Sequence, residues 1–130
     1  MSGFFSGLRI SGSGMTAQRF RLDLLADNIA NIHTTRTAGG GPYRRNMPVF
    51  TEMLSGGVAV TALVPDPSPP VRVQEPGHPD ADAQGFVAYP AVDLGQEMVN
   101  MIGATRAYQA NVSAFEASKQ MIMKALELGA

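Results

Sequence analysis

The sequence predicts a mainly α-helical protein with a small β insert, in which two long terminal helices pair as an antiparallel coiled coil. Apolar residues in the C-terminal segment recur at intervals of three and four, and those in the N-terminal segment recur every seven positions. All nine prolines of the 130-residue chain lie from Pro42 to Pro90, between these two segments. Because proline breaks helices, this distribution confines turns and short strands to the middle of the chain.

The C-terminal helix is predicted from Asp93 to Leu128. Asp93 followed by Gln96 has the spacing of a capping box, and Gly129 stands where a helix commonly stops. At about 1.5 Å per residue the helix would be roughly 54 Å long, more than a compact core of this size needs. Its principal apolar row comprises Leu94, Met98, Met101, Tyr108, Val112, Phe115, Ile122 and Leu126.

Two polar residues, Thr105 and Lys119, interrupt this row. Either they set the register of a partner helix, or they sit at the edge of the interface. A second row of apolar and small side chains flanks the first, and a single partner helix cannot cover both rows. We therefore expect the C-terminal helix to pack against other subunits. The second row comprises Val99, Ile102, Ala110, Ala114, Ala117, Met121, Ala125 and Leu128.

The N-terminal helix is predicted from Phe5 to Ile32. Its first half is rich in serine and glycine, and glycine costs about 1 kcal/mol relative to alanine in a helix. We therefore expect a well-formed helix only from Met15 to Asn31, with any order ahead of it imposed by contacts. Asn28 and Asn31, with Thr34 behind them, suit a turn that ends the helix. The apolar row of this helix comprises Leu8, Met15, Leu22, Leu25 and Ile29.

Short β-branched and aromatic runs between the helices predict a thin, proline-rich β insert. The glycine run Gly39 to Gly41 would be its flexible entry. The chain is thus expected to divide into an N-terminal core helix at residues 1–36, the insert at 37–92, and a C-terminal core helix at 93–130. The predicted strands are Tyr43 to Met53, Val58 to Val64, Val71 to Gln74 and Phe86 to Tyr89.

The composition excludes several classes of function. A net charge of −1 and an isoelectric point near 6.1 provide no basic field for nucleic acid. The absence of cysteine excludes a disulfide framework and a thiolate metal site. The chain has neither a run of eighteen apolar residues nor the pattern of a cleaved signal, so we expect no membrane span. If the protein leaves the cytoplasm, we expect another export route.

No residue pattern indicates catalysis. His33 and His78 lie in separate predicted loops, and the prolines around His78, Asp80 and Asp82 are typical of a solvated turn rather than a metal site. The run Gly39 to Gly41 lacks the lysine and the serine or threonine that close a phosphate-binding loop. We therefore expect no metal, no cofactor, no small-molecule substrate and no enzymatic activity.

Three functions remain to be distinguished on the pattern alone. The uncovered helix faces favour a structural subunit of an open assembly. A soluble helical-hairpin adaptor that presents the insert to a single partner would instead be a folded monomer or a small closed oligomer. A small hydrolase using His78 with Asp80 or Asp82 would bind a metal. Arg44 and Arg45 mark either an anionic partner or, as is commoner for adjacent arginines, a solvated face.

Several motifs resemble those of a known family. The segment Leu25 to Asn31, followed by Thr34, resembles the N-terminal motif of the axial proteins of the bacterial flagellum, which include rod, hook and hook-associated proteins. Further motifs narrow the resemblance to the proximal-rod C family of the flagellar basal body, and the loop Pro76 to Asp82 is the most discriminating of them. The residues that carry the resemblance are Asn28, Asn31, Thr34, Tyr43, Arg44, Arg45, Pro76, Gly77, His78, Pro79, Asp80, Asp82, Arg106 and Asn111.

The resemblance implies a structural subunit of the rod, the drive shaft that transmits motor torque across the periplasmic space. It implies export by the flagellar type III apparatus without a cleaved signal. The terminal helices would then form an inner layer around the export channel, and their apolar rows would be the assembly interface. The implied partners are the other rod proteins and the protein that joins the rod to the membrane ring.

Overall fold

Two long helices flank four short strands in the computed structural model, which describes residues 2–129. The strands form two separate antiparallel hairpins, β1 with β2 and β3 with β4. This arrangement confirms the predicted fold class, a helix at each end and a small β insert between them. In chain order the elements are α1 at Ser2–Ala30, β1 at Asn46–Glu52, β2 at Val58–Pro65, β3 at Val71–Gln74, β4 at Phe86–Tyr89 and α2 at Leu94–Gly129.

The two helices pack against each other in antiparallel orientation. The backbone of Gly7 lies beside Ser118 and that of Gly14 lies beside Asn111, so residue numbers rise along α1 as they fall along α2. This contact buries only a narrow stripe of each helix. The buried apolar side chains of the pair are Ala17, Leu24, Leu25, Ala104 and Ile122.

Helix α1 is longer than its sequence pattern predicts. It begins at Ser2, whereas the serine- and glycine-rich stretch before Met15 gave little reason to expect a stable helix there. The contacts explain the difference. A Cβ atom added to Gly14 would lie 2.5 Å from Oδ1 of Asn111, so only glycine lets the helices approach this closely. Ser11 is buried on the same side. Tertiary packing therefore compensates for the poor helix propensity of the stretch.

Helix α2 begins where the sequence predicts. The backbone amide of Gln96 donates a hydrogen bond to Oδ1 of Asp93 at 3.2 Å, so Asp93 is the N-cap. The Gln96 side chain donates to Asn100 instead of returning to Asp93, and the predicted capping box is therefore formed only on its Asp93 side. Gly129 is the last residue of the helix.

The β1–β2 hairpin leans against α1. Its strands pair from Asn46 opposite Pro65 to Glu52 opposite Val58, with an irregularity between Val49 and Phe50. Two glycines with positive φ, Gly56 at 83° and Gly57 at 97°, form the turn. The hairpin is fixed to the helix by the backbone amide of Val58, which donates to the Ser13 hydroxyl at 3.1 Å.

The β3–β4 hairpin matches its prediction, from Val71 opposite Tyr89 to Gln74 opposite Phe86. Val87 in β4 is fully buried. β1, in contrast, starts three residues later than predicted. The backbone of Tyr43 donates to Thr34, and the carbonyl of Arg45 accepts from Asp66, so this segment serves the loops that flank the hairpin.

Candidate assembly surface and insert junction

Both helices expose large apolar side chains. On α2, Met98 is 54% exposed and Leu128 is 87% exposed, and on α1 Phe5 is 55% exposed. A fully buried side chain of this kind contributes about 1.5 to 3 kcal/mol relative to an exposed one. The surface is thus suited to burial against neighbours. Its other exposed members are Ile10 and Phe20 on α1, and Leu94, Val99, Ile102, Met121, Met123 and Leu126 on α2.

The residues of the predicted interface do not all lie on one face of the α1–α2 pair. Leu25 and Ile122 are buried, whereas Leu94, Met98 and Leu126 are exposed. Thr105 and Lys119 are also exposed, so the α1–α2 pair itself does not enclose either residue. The remaining residues are half-buried: Leu8, Met15, Leu22 and Ile29 on α1, and Met101, Tyr108, Val112 and Phe115 on α2.

Small and polar residues that the apolar pattern did not select complete the inner face of α2. Glu97 and Ala104 are fully buried, and Asn111 and Ser118 oppose the glycines of α1. Hydrophobic periodicity could not identify them. A pattern of large apolar residues recognises neither a closely packed alanine nor a polar side chain that is buried because it forms a hydrogen bond. Their spacing of seven residues was the available signal.

Asn28 joins α1 to the start of β1. Its amide group donates to the Asn46 carbonyl at 3.0 Å and accepts from the Asn46 backbone amide at 3.1 Å. The Tyr43 hydroxyl donates to Oδ1 of Asn28 at 2.8 Å. Desolvation is the main cause that raises the pKa of Tyr43. The sequence had assigned Asn28 to the turn that ends α1, but only Asn31 and Thr34 act there, bonded to each other at 3.0 Å.

Arg45 joins the insert to α2. Its Nε atom donates to Oε1 of Glu97 at 2.5 Å, and Nη1 lies 3.4 Å from Oδ2 of Asp66. Glu97 is 1% exposed. The expectation of a solvated face is thus wrong for Arg45, because an internal carboxylate binds it. Arg44 is exposed and donates only to the Asp66 carbonyl, at 3.3 Å.

Two aspartates organise the loop between β3 and β4. Asp82 accepts from the backbone amides of Gln84 and Phe86, each at 2.9 Å, and from Arg72 at 2.6 Å. These bonds lower the pKa of Asp82, and the bond from the Phe86 amide has the largest effect. Asp80 accepts a hydrogen bond from the Thr35 hydroxyl at 2.7 Å and pairs with Arg36. The hydrogen bond from Thr35 is the main cause that lowers the pKa of Asp80, and the charge of Arg36 lowers it further. Asp80 therefore ties the loop to the segment that follows α1.

The histidines have structural surroundings. Nδ1 of His78 accepts the backbone amide of Asp80 at 3.0 Å, and both His33 and His78 meet the ring of Tyr89 edge-on. Within residues 2–129, no three histidine or acidic side chains come together as metal ligands would. In the same range, neither helix combines the length and apolar character that a membrane span requires.

Comparison with known proteins matches both ends of the chain to flagellar sequences. Residues 8–36 match the family described as flagella basal body rod protein, and residues 83–128 match the C-terminal family of flagellar basal body rod FlgEFG proteins. The flagellar basal-body rod protein FlgC of Borreliella burgdorferi is 38% identical, with 97% of each chain covered. The FlgC proteins of Bacillus subtilis and Yersinia enterocolitica are 40% and 42% identical, covering 96% and 92% of this chain and 97% and 93% of their own.

The chain belongs to the FlgC family. It is therefore a structural rod protein of the flagellar basal body, and the resemblance described above is confirmed. All three relatives are flagellar basal-body rod proteins.

Five of the residues that carry the FlgC resemblance join the insert to the helices or hold its loop. Asn28, Tyr43 and Arg45 belong to the junction, and Asp80 and Asp82 hold the loop. Asn111 lies apart, beside Gly14, where its amide donates to the Ala107 carbonyl at 2.9 Å. The other members are exposed or partly exposed: Asn31, Thr34, Arg44, Pro76, Gly77, His78, Pro79 and Arg106.

Proposed function

We propose that this chain is a subunit of the proximal rod, where it assembles with the other rod proteins into the drive shaft that transmits motor torque and encloses the export channel. The observation that supports this role is the exposed apolar surface along both helices, defined above, in a member of the FlgC family. Neighbouring subunits would cover what the α1–α2 pair leaves open.

The partners follow from the same assignment. They are the other rod proteins, the protein that joins the rod to the membrane ring, and the flagellar type III export apparatus, which carries the chain to the periplasmic space without a cleaved signal. This role requires no nucleic acid, no cofactor and no small-molecule substrate.

The chain divides by function into the regions expected from its sequence. Residues 1–36 and 93–130 supply the helical core of the rod, and residues 37–92 form the outer insert. The interface comprises the apolar rows of both helices. Its exposed members, such as Met98 and Leu126, meet other subunits, and its half-buried members, such as Tyr108 and Phe115, are shared between the partner helix and neighbours.

Replacing Met98 by aspartate tests the assignment. Because Met98 is 54% exposed, the change leaves the α1–α2 contact intact while placing a charge in the surface that neighbours would cover. The altered chain should reach the periplasm but be missing from purified basal bodies, and the cells should not swim. The measurement is quantification of the chain in periplasmic and basal-body fractions.

Gln109→Glu is the matched control. Gln109 is an exposed polar residue of the same helix, so a new charge there should leave assembly intact. Normal basal bodies with Met98→Asp would contradict the interface. Absence of the unaltered chain from basal bodies would contradict the function itself.

A further inference from the structure

Three buried or half-buried polar residues meet at the base of the β1–β2 hairpin, one from each part of the molecule. Asn28 comes from α1, Arg45 from the insert and Glu97 from α2. Asn28 and Glu97 are each only 1% exposed, although most of the hairpin is half-buried or exposed. Among the residues that the structure describes, the best-covered polar side chains thus lie where the parts of the molecule join.

On the α1 side, Asn28 binds β1 as a neighbouring strand would. Its side-chain amide makes a donor and an acceptor bond with the backbone of one residue, Asn46, at 3.0 and 3.1 Å. The paired geometry fixes the direction of the strand as well as its distance from the helix.

On the α2 side, Arg45 connects both ends of the hairpin to one carboxylate. Its carbonyl accepts the Asp66 backbone amide at 2.7 Å just beyond β2, and its guanidinium lies between Asp66 and Glu97. These contacts can coexist only when the β1–β2 hairpin has formed and α1 and α2 are paired.

This arrangement favours orientation over stability. Oε2 of Glu97 is buried with no hydrogen-bond partner in the described chain, so the ion pair is incompletely satisfied. A buried ion pair often stabilises a fold no more than apolar packing would, but it specifies geometry, and breaking it leaves an unpaired charge.

We propose that Asn28, Arg45 and Glu97 form a clasp that sets the orientation of the β1–β2 hairpin on the helix pair, and so the surface that the hairpin presents to the next rod subunit. The clasp closes only when α1 and α2 are paired in the observed register. The three are positioning residues, and their role in the rod rests on the proposed function.

The test compares Arg45→Ala with Arg44→Ala in the bacterium that encodes the chain. Arg44 is the matched control, since it is the adjacent arginine and is exposed. Arg45→Ala should abolish swimming, whereas Arg44→Ala cells should swim normally. Normal swimming of the Arg45→Ala cells would overturn the clasp.

Two engineered cysteine pairs separate orientation from unfolding, and the absence of native cysteine makes both unambiguous. Ser13→Cys with Val58→Cys reports the position of the hairpin on α1, because the Val58 amide lies 3.1 Å from the Ser13 hydroxyl. Gly7→Cys with Ser118→Cys reports helix pairing, because a Cβ atom at Gly7 would lie 3.8 Å from that of Ser118, within disulfide range.

Disulfide yields are measured in basal bodies, where neighbouring subunits cover the helices and keep them paired, and a variant that is not incorporated counts as a loss of both disulfides. Arg45→Ala should reduce the yield of the Ser13–Val58 pair and leave that of the Gly7–Ser118 pair unchanged. An unchanged Ser13–Val58 yield, or a loss of both, would overturn the clasp, the second because Arg45 would then support folding in general. If the unaltered chain is absent from basal bodies, the proposed function fails; the chain must then fold without a rod, and the same yields in the purified chain decide whether the clasp exists.

Discussion

At the scale of single residues, aspartates hold the insert together. Asp66, Asp80 and Asp82 each accept hydrogen bonds from nearby amides, hydroxyls or arginines, and each has a lowered pKa. A lowered pKa means that the folded state favours the ionised carboxylate. Such a group stabilises the fold above its ordinary pKa of 3.8, and this contribution is lost as pH falls through the lower folded value.

Asp80→Asn should therefore act in a pH-dependent way. The asparagine can still accept from Thr35, but it cannot form the ion pair with Arg36. We expect the variant to unfold at lower urea concentration than the unaltered chain at pH 7, and the difference to shrink as pH falls below 3.8.

Tyrosine fluorescence follows this unfolding, because Tyr89 lies in the insert beside His33 and His78. Thr35→Val is the companion variant, since it removes the main hydrogen bond to Asp80 and keeps the carboxylate. A difference between Asp80→Asn and the unaltered chain that is equal at pH 7 and pH 3 would contradict the ion-pair role.

At the scale of elements, strands were easier to predict than interfaces. The bounds of β3 and β4 agree with the sequence pattern, because short β-branched or aromatic runs there are bounded on both sides by proline or glycine. The extension of α1 to Ser2 could not be predicted, because its glycines act through α2, which is remote in sequence. The clasp could not be predicted for the same reason, because its three residues are remote from one another in sequence.

One local signal did point to the clasp. Glu97 lies three residues after Leu94 and four before Met101, so it occupies the spacing of the apolar row. A charge at such a position requires a buried partner, but the sequence does not indicate which of the ten lysines and arginines supplies it. Sequence reasoning could thus have located the carboxylate, and only the fold identifies Arg45.

Gly14→Val tests the explanation for the glycine-rich stretch of α1. The new side chain would overlap Asn111, whose amide is held by the Ala107 carbonyl, so the helices must separate. We expect a lower disulfide yield from the Gly7→Cys and Ser118→Cys pair in basal bodies, and reduced swimming.

Gly12→Ala is the control, because a Cβ atom there meets nothing within 4 Å. That change should instead stabilise α1, by about 0.5 to 1 kcal/mol, since alanine favours a helix interior over glycine. If Gly14→Val were also harmless, close approach of the helices would not explain the glycine.

At the scale of the whole molecule, the helix pair is incomplete alone. The two helices span 29 and 36 residues, yet only a handful of apolar side chains between them are buried. The exposed ones lie on both helices, and those of α1 differ in kind and spacing from those of α2. Unlike surfaces on one chain favour an open helical assembly over a closed dimer, as a rod requires.

The last prediction concerns the chain before assembly. Because α1 has poor helix propensity in its first half and α2 lacks cover on its outer faces, we expect both chain ends to be largely disordered in the purified monomer and to fold when neighbours cover them. An unfolded end also suits passage through a narrow export channel.

Circular dichroism of the dilute chain should show much less helix than the 29- and 36-residue segments would give, and no cooperative loss of helix on heating. Sedimentation should show an expanded monomer. A compact, fully helical species with a sharp melting transition, either monomer or closed oligomer, would instead favour the adaptor, because such a chain satisfies its helices without a rod.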